Sequence, residues 1–251
     1  MRRAVSLLLT LAVLSLASLT PASARVAAAQ DAPDPPDLGD TVFEDPLTAT
    51  GVLRASTCPT RRIAGDFVPT GFRINVTGRC RDTDTNAGAR STMRDLTIGD
   101  GDVSIDVTPV EGVERARIIL YARQQENQDG YALIWEPGLG LVQLRRWTSS
   151  TGVLLAERGD LARPSSETPT RLALRVDGER LWGFLDDELV VFATDGMYTG
   201  GFVAIASGRT GNPDDDEPST VVWQNLRVAA LVDGDAPRAP TYAPPEASPA
   251  S

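Results

Sequence analysis

Thr170-Arg-Leu-Ala-Leu-Arg-Val-Asp-Gly-Glu-Arg-Leu-Trp-Gly-Phe-Leu-Asp-Asp-Glu-Leu-Val-Val-Phe-Ala-Thr194 spells out three β-strands and the two turns between them. Leu172, Leu174 and Val176 alternate with Arg171, Ala173 and Arg175, the period-two pattern of a strand with one face buried. Asp177-Gly178 supplies the left-handed backbone of a tight hairpin, and Leu181 to Leu185 returns. Asp186-Asp187 turns the chain again, and Glu188 to Thr194 makes a third strand. Gly200-Gly201 then opens a fourth through Phe202, Val203 and Ile205, and Val221 to Val228 closes the series. Successive strands joined by short turns predict antiparallel sheets.

The same rhythm extends upstream. Phe72, Ile74 and Val76 alternate within Gly71–Gly78, and Val103, Ile105 and Val107 within Gly101–Thr108. After a turn at Glu111-Gly112, Val113 to Arg123 runs back with Ile118 and Leu120 on one face. Gln124 to Gly130 reads as a polar turn. In the next strand Tyr131, Leu133 and Trp135 face one way and Ala132, Ile134 and Glu136 the other; Pro137-Gly138 leads into Leu141 to Trp147. No long helical period and no internal repeat interrupts the series.

This order of strands and turns, with its closing Val221-Val-Trp-Gln-Asn-Leu-Arg-Val228, resembles the concanavalin-A-like and laminin-G-like jelly rolls. That superfamily includes the bacterial domain named for 3-keto-disaccharide hydrolases. The resemblance implies an all-β fold, a two-sheet antiparallel jelly-roll sandwich, placed at residues 41–232. Laminarinase-type relatives carry an acidic triad, Glu-x-Asp-x-x-Glu or one residue shorter, on one strand; Asp102-Val-Ser-Ile-Asp-Val-Thr108 lacks both glutamates. In the closing strand Trp223 stands where relatives usually carry Phe, and it reads as a core residue.

The ends differ in composition from the middle. Met1-Arg-Arg3, an apolar run from Ala4 to Leu19 and small-residue sites at Ala22-Ser-Ala24 and Ala27-Ala-Ala29 predict a secretory signal peptide over residues 1–29. Residues 30–40, rich in Pro and Asp, read as a linker, and residues 233–251, rich in Pro, Ala and Ser, as a disordered tail. The expected location is therefore extracytoplasmic, with no membrane contact once the leader is removed. In an oxidising compartment the two cysteines, Cys58 and Cys80, are expected to form one disulfide.

Charge and residue usage exclude several chemistries. The formal net charge is −10, which repels phosphate backbones, so no nucleic-acid partner is expected. All 24 basic residues are Arg, and the chain has neither Lys nor His. Catalysis by His, Schiff bases on Lys and His-ligated metals are thereby excluded.

Three constellations remain. Glycosidases need two carboxylates about 5 to 10 Å apart across the scissile bond; Asp106 and Glu136, each within a strand, are the candidates if the chain is an enzyme. Sugars stack their C–H faces on rings, so Tyr131, Trp135, Trp147 and Trp182, with Arg145 or Arg146 beside them, are candidates for a glycan platform. Oxygen-rich turns suit hard cations: Asp82, Asp84 and Asn86 have the opening spacing of an EF-hand loop, but Ala87 and Met93 stand where that loop needs Gly and Glu. Gly99-Asp-Gly-Asp102 and the run Asp214, Asp215 and Asp216 lack even that spacing, so structural Ca²⁺ is the one cofactor in question. The resulting expectation is a secreted, non-catalytic module that binds a glycan or another cell-surface component. Its alternative is a hydrolase acting on a glycoside or a 3-keto-disaccharide.

Overall fold

The computed structural model describes residues 32–58, 60, 62–79, 88–148, 151–165, 168–211, 217–234 and 236–239. Fifteen strands occur among them. The strands are β1 Leu38–Asp45, β2 Ser56–Thr57, β3 Ile63–Val68, β4 Gly71–Val76, β5 Gly88–Ile98, β6 Gly101–Glu111, β7 Ala116–Gln124, β8 Gly130–Glu136, β9 Leu141–Thr148, β10 Thr151–Arg158, β11 Thr170–Asp177, β12 Arg180–Leu185, β13 Glu188–Thr194, β14 Gly201–Arg209 and β15 Ser219–Leu231. Between β8 and β9 the chain makes a 3₁₀ turn at Pro137–Leu139.

Two antiparallel sheets result. Sheet A has nine strands, in the order β13-β12-β11-β6-β15-β4-β3-β2, with β1 also paired to β15; sheet B has six, in the order β10-β9-β8-β7-β14-β5. Strand β15 is the hub of sheet A. It pairs with β6 on one side, and on the other its first half meets β4 and its second half β1. The register shift between Gln224 and Arg227, where Asn225 takes φ +52°, separates the two halves.

The quoted stretch folds as its turns dictate. Gly178 sits at φ +56° and Asp186 and Asp187 at +48° and +64°, the left-handed pair that a two-residue hairpin needs to match strand twist. Leu172, Leu174, Val176, Leu181 and Val191 point into the inter-sheet core, where they meet Leu120, Leu133, Trp135 and Trp223. Each such buried side chain stabilises the fold by roughly 1.5–3 kcal/mol. Gly183 faces the same core: a Cβ there would lie 2.5 Å from Leu133 Cδ1 and 2.7 Å from Val191 Cγ2, so its missing side chain is what lets sheet B close down on β12. Trp223 is fully buried and donates from Nε1 to Ser207 Oγ at 3.0 Å.

The domain is larger at its edges than composition suggests. Strand β1 begins at Leu38, inside the Pro- and Asp-rich segment, and Val232 N–H donates to Asp37 O at 3.1 Å. Just before it, Pro33 O accepts the Trp182 indole N–H at 3.0 Å, and Pro36 O accepts from Arg175 Nη1 at 2.8 Å. This proline strap covers the outer face of sheet A at a small apolar cluster of Ala173, Trp182 and Phe184. At the other end, Arg238 pairs with Thr97 of β5. The proposed leader, Cys80 and the tail beyond residue 239 lie outside the described residues. Cys58 follows β2, its Sγ 3.4 Å from Thr60 Oγ1.

Candidate functional site

The outer face of sheet B is assembled row by row from strand register. In one row Arg90 of β5 pairs with Ala206 of β14, Ala206 with Ile119 of β7, Ile119 with Ile134 of β8 and Ile134 with Gln143 of β9. The next row runs Thr92, Ala204, Tyr121, Ala132, Arg145. Because side chains alternate across a strand, these residues share the face turned away from the core. Ile119, Tyr121, Ala132, Ile134, Ala204 and Ala206 form a thin apolar layer there, with Trp147 packed at its margin.

Small residues in β14 leave room above the layer. A recess of about 440 Å³ opens there, floored by Ile119, Tyr121, Ala206 and Gly208 and bounded by Arg90, Arg117, Trp147 and the loop Asn127–Asp129. Its polar groups are held in place. Arg90 lies over the Tyr121 ring, 4.3 Å from guanidinium carbon to centroid, and donates to Tyr121 OH at 2.9 Å and to Gln128 O at 3.2 Å. Arg117 donates to Glu136 Oε1 from Nε at 2.6 Å. Burial raises the Tyr121 pKa, with the Arg90 and Arg117 guanidiniums pulling the other way, so the phenol stays neutral at physiological pH.

The sequence candidates are distributed differently. Trp147 and Arg145 lie on this face, Trp147 half-buried and Arg145 bonded to Gln143 at 2.9 Å. Tyr131 and Trp135 belong to the inter-sheet core instead. Alternation puts them on one face of β8, and that face is the inner one; Tyr131 OH donates to Asp195 Oδ1 at 2.8 Å. Arg146 sits on Tyr131's side of the sheet and forms an ion pair with Asp195. Trp182 is on the other sheet, under the proline strap. The expected ring platform is thus not brought together: only Trp147 and Arg145 share a surface.

The two candidate catalytic carboxylates are also apart. Asp106 projects from the outer face of sheet A, 3.6 Å from Arg171 Nη1 and accepting from Asn225 at 2.9 Å. Glu136 projects from the outer face of sheet B, so the whole core lies between them. Asp102, on the Asp106 face, is buried, which raises its pKa, while its ion pair with Arg175 opposes that shift. Asp100 accepts from Arg123. The calcium candidates Asp82, Asp84, Asn86, Asp214, Asp215 and Asp216 lie outside the described residues.

Arg90, Arg117 and Tyr121 were missed by sequence reading. A signal existed for two of them, since Ile118 and Leu120 facing the core places Arg117, Ile119 and Tyr121 together on the opposite face.

Neither a protein-family model nor a curated protein matches the chain at the level of sequence. Solved structures do share its fold. A carbohydrate-binding module from Bacillus subtilis superposes with a TM-score of 0.51 at 18% identity, covering 64% of this chain and 88% of that one. A protein of unknown function with a galectin-like fold, also from Bacillus subtilis, reaches 0.55 at 14% identity, covering 77% and 97%. A β-1,3-1,4-glucanase (lichenase) derived from a mouse hindgut metagenome reaches 0.56 at 16% identity, covering 76% and 99%. The architecture is therefore that of the concanavalin-A-like and galectin-like jelly rolls, as the sequence resemblance implies.

Proposed function

We propose that the chain is a secreted recognition domain that holds a glycan in the recess on the outer face of sheet B and does not cleave it. The observation that carries this reading is the recess itself. An apolar floor beneath fixed guanidinium, phenol and indole groups offers a sugar both a C–H-stacking surface and directed hydrogen bonds. Its volume falls within the range of small-ligand sites. The jelly-roll neighbours include a carbohydrate-binding module and glucanases, which agrees with a glycan ligand and leaves the choice between binding and cleavage to the site.

Carboxylate placement supports binding. Among the described residues the recess is lined by one carboxylate, Asp129, and the next, Glu136 on Arg117, stands at the opposite end of β8; seven residues of extended chain span roughly 20 Å. Glycosidic cleavage needs its pair within about 10 Å. Glu136 is moreover committed to Arg117.

Calorimetry of the mature chain against a panel of plant and bacterial polysaccharides tests the reading. Binding weakened about tenfold in Trp147→Ala, with no new reducing ends, is the expected result. Sugar release that vanishes in Glu136→Gln or Asp106→Ala would establish the hydrolase alternative instead. Secretion and the Cys58–Cys80 bridge belong to the same proposal; two reactive thiols in the denatured, secreted protein would refute the bridge.

A further inference from the structure

We propose that the sugar this recess takes is acidic, its carboxylate or sulfate held between the guanidiniums of Arg90 and Arg117. The inference rests on the glycan reading above and specifies its ligand. Formal charge on the whole chain is −10, yet among the described residues the recess reverses that sign: Arg90, Arg117 and Arg209 line it against Asp129, with Glu136 beside Arg117 as the second carboxylate. Arg145 stands on the same face one row away.

The state of each guanidinium matters more than the count. Arg117 is matched by Glu136. Arg90 is different, because its partners among the described residues are all neutral: Tyr121 OH, Gln128 O and Gln128 Oε1. Arg145, bonded to Gln143, is likewise without a carboxylate among the described residues. A planar guanidinium matches two oxygens of a carboxylate or sulfate, and Arg90 is already immobilised over the Tyr121 ring, so little side-chain freedom remains to be lost on binding. The acidic remainder of the surface does not cancel this field, since charges more than about 8–10 Å away are largely screened in physiological salt.

The two arginines also converge. Both line the same recess, on either side of Ala206 and Gly208, although their strands are separated by β14. An anion over the Ala206 position would face both, with its sugar ring directed toward Trp147 along the apolar layer.

The experiment is titration calorimetry with the mature chain against three size-matched oligosaccharides: a neutral glucan, a uronate and a sulfated galactan. Binding of the uronate or the sulfated sugar at least tenfold tighter than the glucan, weakening as salt rises from 20 to 500 mM, is expected, and whichever acidic arm is tighter identifies the anion. Arg90→Gln should lower that affinity roughly tenfold. The double variant Arg117→Gln/Glu136→Gln, which removes a cation without orphaning a buried carboxylate, should do the same if the fold is retained by circular dichroism. Equal or tighter binding of the neutral glucan would overturn the acidic specificity and keep the glycan reading. Failure of all three sugars would overturn both.

Discussion

Arg123 Nη2 donates to Asp100 Oδ1 at 2.7 Å, and the same oxygen accepts the Gly178 N–H at 2.8 Å. Arg123 itself is 1% exposed and takes φ +52°, yet its guanidinium is well satisfied: Gly99 O accepts from Nε, and Gly178 O and Tyr198 O from Nη1. One side chain thus closes the β5–β6, β11–β12 and β13–β14 connections at one end of the sandwich.

Arg123→Met should therefore destabilise the domain by about 3–5 kcal/mol, because it leaves a carboxylate and three carbonyls without their cation. Asp100→Asn, which keeps an acceptor for both donors, should cost less, about 1–3 kcal/mol. Urea midpoints of the two variants check the order.

Tyr131 makes an alkaline prediction. Burial, with a hydrogen bond to Asp195 adding to it, pushes its phenol up to about 12. Unfolded, the group ionises near 10. Between those values the native state holds a proton that the unfolded chain has released, so stability should fall as pH rises from 10 toward 12. Absorbance at 295 nm should show one tyrosine titrating last, and Tyr131→Phe should flatten this limb of the stability profile.

The hairpins of sheet A were legible because their turns carry chemistry: Asp177-Gly178 and Asp186-Asp187 can hardly be anything else. Alternation in β8 was legible too, but not its polarity, because Ala132 and Ile134 are as apolar as the residues between them. Whether Trp135 fills a core or binds a ligand depends on which sheet lies behind it, and that is a property of topology. Strand β5 escaped notice because Gly88–Ile98 lacks a clean period, its pairing shifting near Asp95, which takes φ +59°. Arg90 lies on that strand. The recess, drawn from four strands and a loop, with β5 among the strands that were unseen, could not be assembled from the sequence.

Gly183 is a packing test. Gly183→Ala should cost about 1–3 kcal/mol, since the added methyl meets Leu133 and Val191 in a filled core. Gly159→Ala, where nothing lies within 4 Å, should change the midpoint by no more than about 0.5 kcal/mol. Thermal or urea unfolding of the pair separates core crowding from any general loss of backbone freedom.

The proline strap can be tested through its one indole contact. Trp182→Phe keeps a ring against Phe192 but removes the donor to Pro33 O, and should cost about 1 kcal/mol. Faster cleavage within residues 32–37 during limited proteolysis is the accompanying sign; an unchanged digestion pattern would mean that the bonds from Arg175 and Val232 suffice to hold the strap.

The placement of β15 has a consequence for biogenesis. The strand that sheet A is built around is the last of the described strands in chain order, and it must reach back to β1, some 190 residues earlier in the chain, as well as to β4 and β6. Until Leu231 has been synthesised, β6 and β4 lack a common neighbour and β1 has no partner among the described strands. Sheet A therefore waits in separate pieces, β3 with β4 and β6 with β11, β12 and β13, until the hub strand is available. Docking of β15 joins these pieces to one another and to β1, which makes closure of sheet A the pairing of longest sequence separation.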